Sequence, residues 1–158
     1  MTESAQTLDR TDLKILRCLQ EDGRISNLKL AQAVALSPTA VLARVQRLST
    51  TGFIRGYQAL LDPARLGAGL MVFVEVLLDR TTPHVFEAFK AAVQVRPEIM
   101  ECHMVAGGFD YLLKTRLADM PAYREFAGTV LWQLPGVREV RTYAAMEEVK
   151  NTTHLMLS

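Results

Sequence analysis

Residues 36–48 read LSPTAVLARVQRL, and this run decides how the chain begins to fold. Ser37 is a good N-cap, and Pro38 suits the first helical position, where its missing N–H costs nothing. Leu36 before the cap and Val41 at the fourth helical position form a hydrophobic staple that sets how the chain enters the helix. Val41, Val45 and Leu48 fall on one side of a 3.6-residue helix. At about 100° per residue the opposite side carries Thr39, Ala40, Ala43, Gln46 and Arg47. A short helix with one apolar stripe, small outward residues and a cation can lie in a DNA major groove. An ordinary amphipathic surface helix has the same pattern, so its neighbours must discriminate.

Upstream, Asp9 caps a helix running to about Gln20, with Asp12 three residues on and Leu8 and Leu13 as its staple. Its predicted buried face is Leu13, Leu16 and Leu19, and Gly23 ends it. Ser26 caps a second helix that stops near Ala35, with Ile25 and Leu30 in staple positions. Three capped helices, the last two joined by a tight turn at residues 35–37, are the sequence form of a helix-turn-helix. Leu13, Leu16, Leu30, Ala31, Val34, Val41, Val45 and Leu48 can close one small core. Residues 53–61, partly aromatic, are expected to form a strand leading out of this head.

Charge supports the reading. The 158-residue chain carries a net charge of +1, which alone says nothing about partners. Between Asp22 and Asp62, however, no acidic residue occurs, while Arg24, Lys29, Arg44, Arg47 and Arg55 do. The chain after Pro63 is close to balanced. Such asymmetry fits a first domain that meets a polyanion and a second that does not. Thr39, Ala40 and Ala43 would let the helix approach base edges, and Arg47 could reach a guanine or a phosphate. Arg44 lies at the edge of the stripe, where phosphate contact and an internal ion pair with Asp12 or Glu21 are equal alternatives. Ser26 and Asn27 open a helix whose free N–H groups suit phosphate, besides their capping role. Ser37, Pro38 and Gln46 complete the candidate DNA-binding set.

The boundary between domains falls at Asp62–Pro63 and the Gly67/Gly69 pair. This gives residues 1–60 as head, 61–68 as linker and 69–158 as a second domain. Residues 70–78 are a strand, apolar on both faces apart from Glu75. Thr82 and Pro83 open a helix with Val85, Phe86, Phe89 and Val93 inward, closed by Pro97. Residues 99–106 and 111–117 form a hairpin. Asp119 caps another helix, with Tyr123, Phe126, Val130, Leu131 and Leu134 inward, and residues 137–146 form the last strand. The class is α+β, with a βαββαβ ferredoxin-like second domain. One sheet face is then bare, with Met71, Phe73, Leu77, Val105 and Leu113 as its candidates. A second copy is the simplest cover, so a dimer at least is expected.

Several classes are disfavoured. Cys18 and Cys102 are far apart and fit buried thiols in a reducing cytoplasm. His84, His103 and His154 share no metal-ligand spacing, so no zinc site is expected. No nucleophile–base pair is visible, so neither a catalytic site nor a cofactor is expected. MTESAQT lacks the pattern of a secretory leader, and the longest apolar run is too short to span a bilayer. Gly107 and Gly108 could turn backbone N–H groups toward a carboxylate and Asp110 could take an ammonium, although a plain hairpin turn needs the same residues. Met100, Met104, Met120 and Met146 could line a soft apolar pocket or simply fill the core.

Along almost its whole length the chain resembles the Lrp/AsnC, or feast/famine, family of transcription regulators. The residues that carry this are LDRTDLKILRCLQEDGRIS, LSPTAVLARVQRL, GFIRGYQALLDP and GGFDYLL. The runs ECHMVAGGFDYLLKTRLADMPAYREF and LPGVREVRTYAAMEEVK point to the family's leucine-responsive branch. The resemblance implies a bacterial, cytoplasmic, nucleoid-associated regulator with a winged-type helix-turn-helix head and an amino-acid-sensing domain. It implies double-stranded DNA as partner, and dimers that assemble into tetramers or octamers. It places an effector such as leucine or methionine at Gly107, Gly108, Phe109, Asp110 and Tyr111, with Val105 at the loop's base. Tyr143 and Ala144 match positions that govern the leucine response. Gly108 departs from the pattern, because an acidic residue is frequent there. A ligand-independent architectural DNA-binding protein is the main alternative. A tetrapyrrole-modifying enzyme of the same fold is the other.

Overall fold

A computed structural model describes residues 7–80 and 83–158. Two compact units emerge, one taking the chain up to Leu60 together with Lys150–Ser158, the other Leu61–Val149.

The first unit holds α1 (Arg10–Glu21), α2 (Asn27–Val34) and α3 (Pro38–Thr50). Each starts where its cap predicts. Asp9 and Asp12 form a reciprocal capping box, and Ser26 and Ser37 accept from the N–H groups of Lys29 and Ala40. The core is Ile15, Leu30, Ala31, Val34, Val41 and Leu48, with Leu16, Leu19 and Val45 packed around it. Full burial of such a side chain stabilises by about 1.5–3 kcal/mol. Ile15, fully buried, takes the place expected for Leu13, which lies off the inward side. The inward face of α1 includes Asp12, only 1% exposed, so an apolar-only search for that face is drawn one position aside.

Residues 53–61 form no strand. After a turn that ties the Ile54 N–H to Leu48 C=O (3.0 Å), they run without a ladder. The end of α1 packs near by, with Tyr57 against Gly23, but no extended segment of the described chain pairs with them through main-chain hydrogen bonds, and a strand needs such a partner. The last residues also differ from expectation, because 150–158 group with the first unit and not with the second. The Gln20 carboxamide oxygen accepts from the Leu155 N–H (2.6 Å) and its nitrogen donates to Leu155 C=O (3.1 Å). Arg17 donates to Leu157 C=O (2.6 Å).

The second unit runs β1 (Leu70–Leu78), α4 (Val85–Gln94), β2 (Ile99–Met104), β3 (Tyr111–Leu117), α5 (Met120–Thr129), a 3-10 turn at Leu131–Gln133, and β4 (Val137–Ala144). The sheet order is β2-β3-β1-β4, antiparallel throughout, as a ferredoxin-like βαββαβ chain requires. Val72, Val74, Val76 and Leu78 alternate into a core with Val85, Phe89, Val93, Tyr123, Phe126, Val130, Leu131 and Leu134. Gly136, at φ +72°, turns the chain into β4 so close to Val85 that a Cβ could not fit. Thr82, expected to help open α4, lies outside the described residues. His84 begins that helix in the left-handed region without a side-chain cap.

The other sheet face is not the bare apolar surface expected. Register opposes Leu113 to Val74 and Cys102, which puts Leu113 in the core at 1% exposure. Outward stand Met71, Phe73, Glu75 and Leu77 of β1, opposite Arg116, Lys114, Leu112 and, on β4, Tyr143, Arg141 and Glu139. Charges there are paired: Lys114 with Glu101 (2.8 Å), Arg141 with Glu139 (3.0 Å), Arg116 with Glu148. The face is amphipathic.

Candidate nucleic-acid interface and effector cleft

Helices α2 and α3 meet at a bend of 99°, within the range of a helix-turn-helix pair. The turn rests on Ala35, which adopts φ 56°, ψ 47°, and the Leu36 N–H closes on Ala31 C=O (3.0 Å). Asn27 Nδ2 donates to Pro38 C=O (2.8 Å), so the first residue of α2 pins the first turn of α3. Thr39, Ala43 and Gln46 are exposed along α3, as its sequence periodicity predicts, and Ala40 is half-buried. Leu42, absent from the sequence-derived set, stands among them at 48% exposure.

The two arginines of α3 do not project from that face. Arg44 Nη1 pairs with Asp9 (2.6 Å) and Asp12 (2.8 Å), and Arg47 Nη2 pairs with Asp12 (2.7 Å). Arg44 therefore takes the internal ion pair, with Asp12 and not Glu21. Arg47 departs from the outward cation expected of it, because the Asp12 carboxylate is enclosed on α1 and draws the nearest guanidinium groups back. Burial alone would raise the Asp12 carboxyl. Hydrogen bonds from Arg47, the Asp9 N–H and Arg44 outweigh it and hold the group below its ordinary range. Asp9 is lowered by the Asp12 N–H and then by Arg44, and Arg44 is raised in turn by Asp9 and Asp12. Arg24, Lys29 and Arg55 remain exposed.

In the second unit, residues 105–110 link β2 to β3. The loop is closed at its base by Val105 N–H to Asp110 C=O and by Asp110 N–H to Val76 C=O, both 3.0 Å. Asp110 itself is 3% exposed, accepts from the Leu78 N–H (2.8 Å) and pairs with Arg80. Its carboxylate thus anchors the ends of β1 and β3, which corrects the expectation that it faces an ammonium group. Tyr111 is likewise turned inward, stacked on Phe89 with centroids 4.6 Å apart; burial pushes its phenol up. Ala144 ends β4 opposite Val72. The methionines gather in no pocket: Met100, Met104, Met120 and Met146 are all at least half exposed.

What does come together lies on the outward sheet face. Glu75, Leu77, Gly108, Phe109, Glu139 and Arg141 line one shallow cleft with an interior of about 20 Å³. Tyr143 stands beside it, its phenol raised by burial and then by the Glu75 carboxylate. Neither Gly107 nor Gly108 has a left-handed φ, and a Cβ at either would meet nothing within 4 Å. The fold of this chain therefore does not demand glycine at the rim. Glu75, Leu77, Glu139 and Arg141 were missed from sequence; the available signal was Glu75, the one charged residue in LMVFVEVLL. Cys18 and Cys102 are unpaired, and burial raises the Cys102 thiol. Among the described residues no cluster of His, Cys, Asp and Glu is arranged for a metal ion, and no single helix is long and apolar enough to cross a membrane.

Comparison with known proteins covers both units. Residues 8–49 match the AsnC-type helix-turn-helix domain, and residues 71–155 match the Lrp/AsnC ligand binding domain. The chain is 58% identical to the leucine-responsive regulatory protein of Salmonella typhimurium and 57% identical to that of Escherichia coli K12. Each alignment spans 150 residues, 95% of this chain and 92% of the relative. A transcriptional regulator from Neisseria meningitidis, solved in complex with L-methionine, superposes with a TM-score of 0.90 at 39% identity. That superposition covers 95% of this chain and 97% of the other.

Proposed function

The chain belongs to the Lrp/AsnC family of DNA-binding transcription regulators that respond to amino acids, not to a family of enzymes, and on that premise we propose how its residues divide the work. The head reads duplex DNA. Helix α3 enters the major groove with Ser37, Pro38, Thr39, Ala40, Ala43 and Gln46 leading, while Ser26 and Asn27 present the start of α2 to a phosphate. Arg44 and Arg47, neutralised by Asp9 and Asp12, act from the flank by fixing α3 against α1, and the exposed Arg24, Lys29 and Arg55 supply the potential that attracts the backbone. Affinity then falls steeply with salt.

The second unit senses the amino acid. The observation that carries this reading is the chemistry of the cleft. Arg141 can take a carboxylate, Glu75 or Glu139 an ammonium, and Leu77 with Phe109 an aliphatic side chain. Val105, Gly107 and Gly108 shape the rim, with backbone N–H groups near by. Gly108 brings no side chain to the rim, so the ammonium falls to Glu75 or Glu139. An interior of about 20 Å³ holds little more than one water, which needs about 10–15 Å³ by this measure. On this reading a second copy laid on the face completes the site. Leucine or methionine is the effector that suits it; the Neisseria meningitidis neighbour was solved with L-methionine. Dimers, assembled further into tetramers or octamers in a bacterial cytoplasm on the nucleoid, shift between assemblies by the ligand's differential affinity. DNA affinity follows through the number of heads engaged.

The test is a thermal-shift screen of twenty amino acids, with sizing of every hit, on the wild type and on Arg141→Ala. Leucine or methionine should stabilise the wild type and change its size, and the variant should lose both responses. A variant that responds like the wild type would overturn the cleft assignment. Silence of the wild type toward every amino acid would favour the architectural alternative.

A further inference from the structure

We propose that Leu42 is a specificity-determining residue that reads a thymine 5-methyl group in the major groove. The inference rests on the reading of α3 as the groove-entering helix. Leu42 is half exposed on a helix whose other large apolar side chains, Val41, Val45 and Leu48, are buried or half-buried. It follows Thr39 by three positions and precedes Gln46 by four, so the three share the outward side. Ala43 beside it is small enough for the helix to approach closely.

The face is also defined by what has been drawn away from it. Arg44 and Arg47 are both turned onto Asp12, so the side that points away from the core carries no cation to fork onto guanine O6 and N7. Its remaining chemistry is methyl and methylene groups from Leu42, Thr39 and Ala43, with one carboxamide on Gln46. An apolar contact suits the thymine methyl, and a carboxamide suits adenine N6 and N7. One T·A pair offers both groups, and Leu42 and Gln46 stand one helical turn apart. Single exposed apolar side chains are ordinary on protein surfaces; this one stands on the same side as Thr39 and Gln46, two of the residues assigned to the groove.

Uracil tests the methyl alone, since it pairs as thymine does and lacks only that group. The full-length protein is titrated against a duplex recovered by selection from a random library, with each thymine replaced singly by uracil. At one or two positions on the contacted steps, wild-type affinity should fall about fourfold, the equivalent of about 0.8 kcal/mol for one buried methyl. In Leu42→Ala the ratio between thymine and uracil duplexes should collapse to one. A merely structural effect would weaken both duplexes alike and leave the ratio in place, and Leu42→Met should retain the ratio. Equal binding of thymine and uracil duplexes by the wild type overturns the role of Leu42, as does an unchanged ratio in Leu42→Ala. Absence of any duplex binding by the wild type would overturn the underlying assignment of α3 instead.

Discussion

Asp12 is buried at 1% exposure among the apolar residues of the head, and its charge is met by two guanidinium groups and one N–H. Removing the charge leaves both arginines facing a neutral amide. Breaking a fully enclosed pair costs about 3–5 kcal/mol. Here the arginines keep contact with water, so Asp12→Asn should cost about 2 kcal/mol, measured by urea unfolding. The sign of the pH dependence follows from the lowered carboxyl. Its contribution is complete above the unfolded value, near 3.8, and is lost as pH falls through the lower folded value. Wild-type stability should therefore drop faster than that of Asp12→Asn below about pH 4. Ala35 carries the opposite kind of tension. It holds the left-handed geometry of the α2–α3 turn, which costs a residue with a Cβ about 1–2 kcal/mol. Glycine gives part of that gain back as unfolded-chain entropy. Ala35→Gly should raise head stability by about 0.5–1 kcal/mol, and no change in melting temperature would refute the account.

At the scale of elements, the boundaries of α1, α2 and α3 were legible because caps are local chemistry: Asp9, Ser26 and Ser37 each sit where the structure begins a helix. The four strands were legible as apolar runs bounded by turn residues, with β1 and β3 matching at both ends and β2 and β4 each ending two residues early. What escaped depends on partners distant in the chain. Residues 53–61 have strand composition but form no main-chain ladder with any described segment. Leu113 changes face because the register with Val74 sets it, and Asp110 is claimed by Leu78 and Arg80 from across the sheet. The outward turn of Arg47 was lost for the same reason, since periodicity places a Cα and not the end of a long side chain. The tail belongs to this group too. Gln20 brackets the main chain of Leu155 as a neighbouring strand would, and Arg17 holds Leu157 C=O. These contacts are to the tail's main chain. Replacing both Arg17 and Gln20 by Ala should speed hydrogen exchange at Leu155 and expose residues 150–158 to proteolysis. The core around Ile15 should keep its protection, and unchanged exchange at Leu155 would show that the tail is held by something else.

At the scale of the whole molecule, the outward sheet face poses the problem of cover. Met71, Phe73, Leu77 and Leu112 stand half-buried on it, among cations that are each already paired with a carboxylate. Three cations (Lys114, Arg116, Arg141) against four carboxylates (Glu75, Glu101, Glu139, Glu148) leave such a surface too little net charge to repel a copy of itself. A two-fold axis through it would set apolar against apolar and offer each paired charge a second partner. It also carries the cleft, which is too shallow alone. One substitution should therefore affect assembly and sensing together. Phe73 neighbours Lys114 and Tyr143 in register, and Phe73→Glu would bury a carboxylate two residues from Glu75, beside a Lys114 already held by Glu101. The expected result is a dimer weakened at least 100-fold, about 3 kcal/mol, by sedimentation equilibrium. Phe73→Leu should keep the dimer, because it retains the apolar contact. With single heads left to act, the Phe73→Glu protein should hold duplex DNA more weakly and with a shallower salt slope. It should also give no thermal shift with leucine or methionine, if the proposed site needs a second copy to complete it. A Phe73→Glu protein that remains dimeric and still responds to the amino acid would place the subunit contact, and the site with it, on another surface.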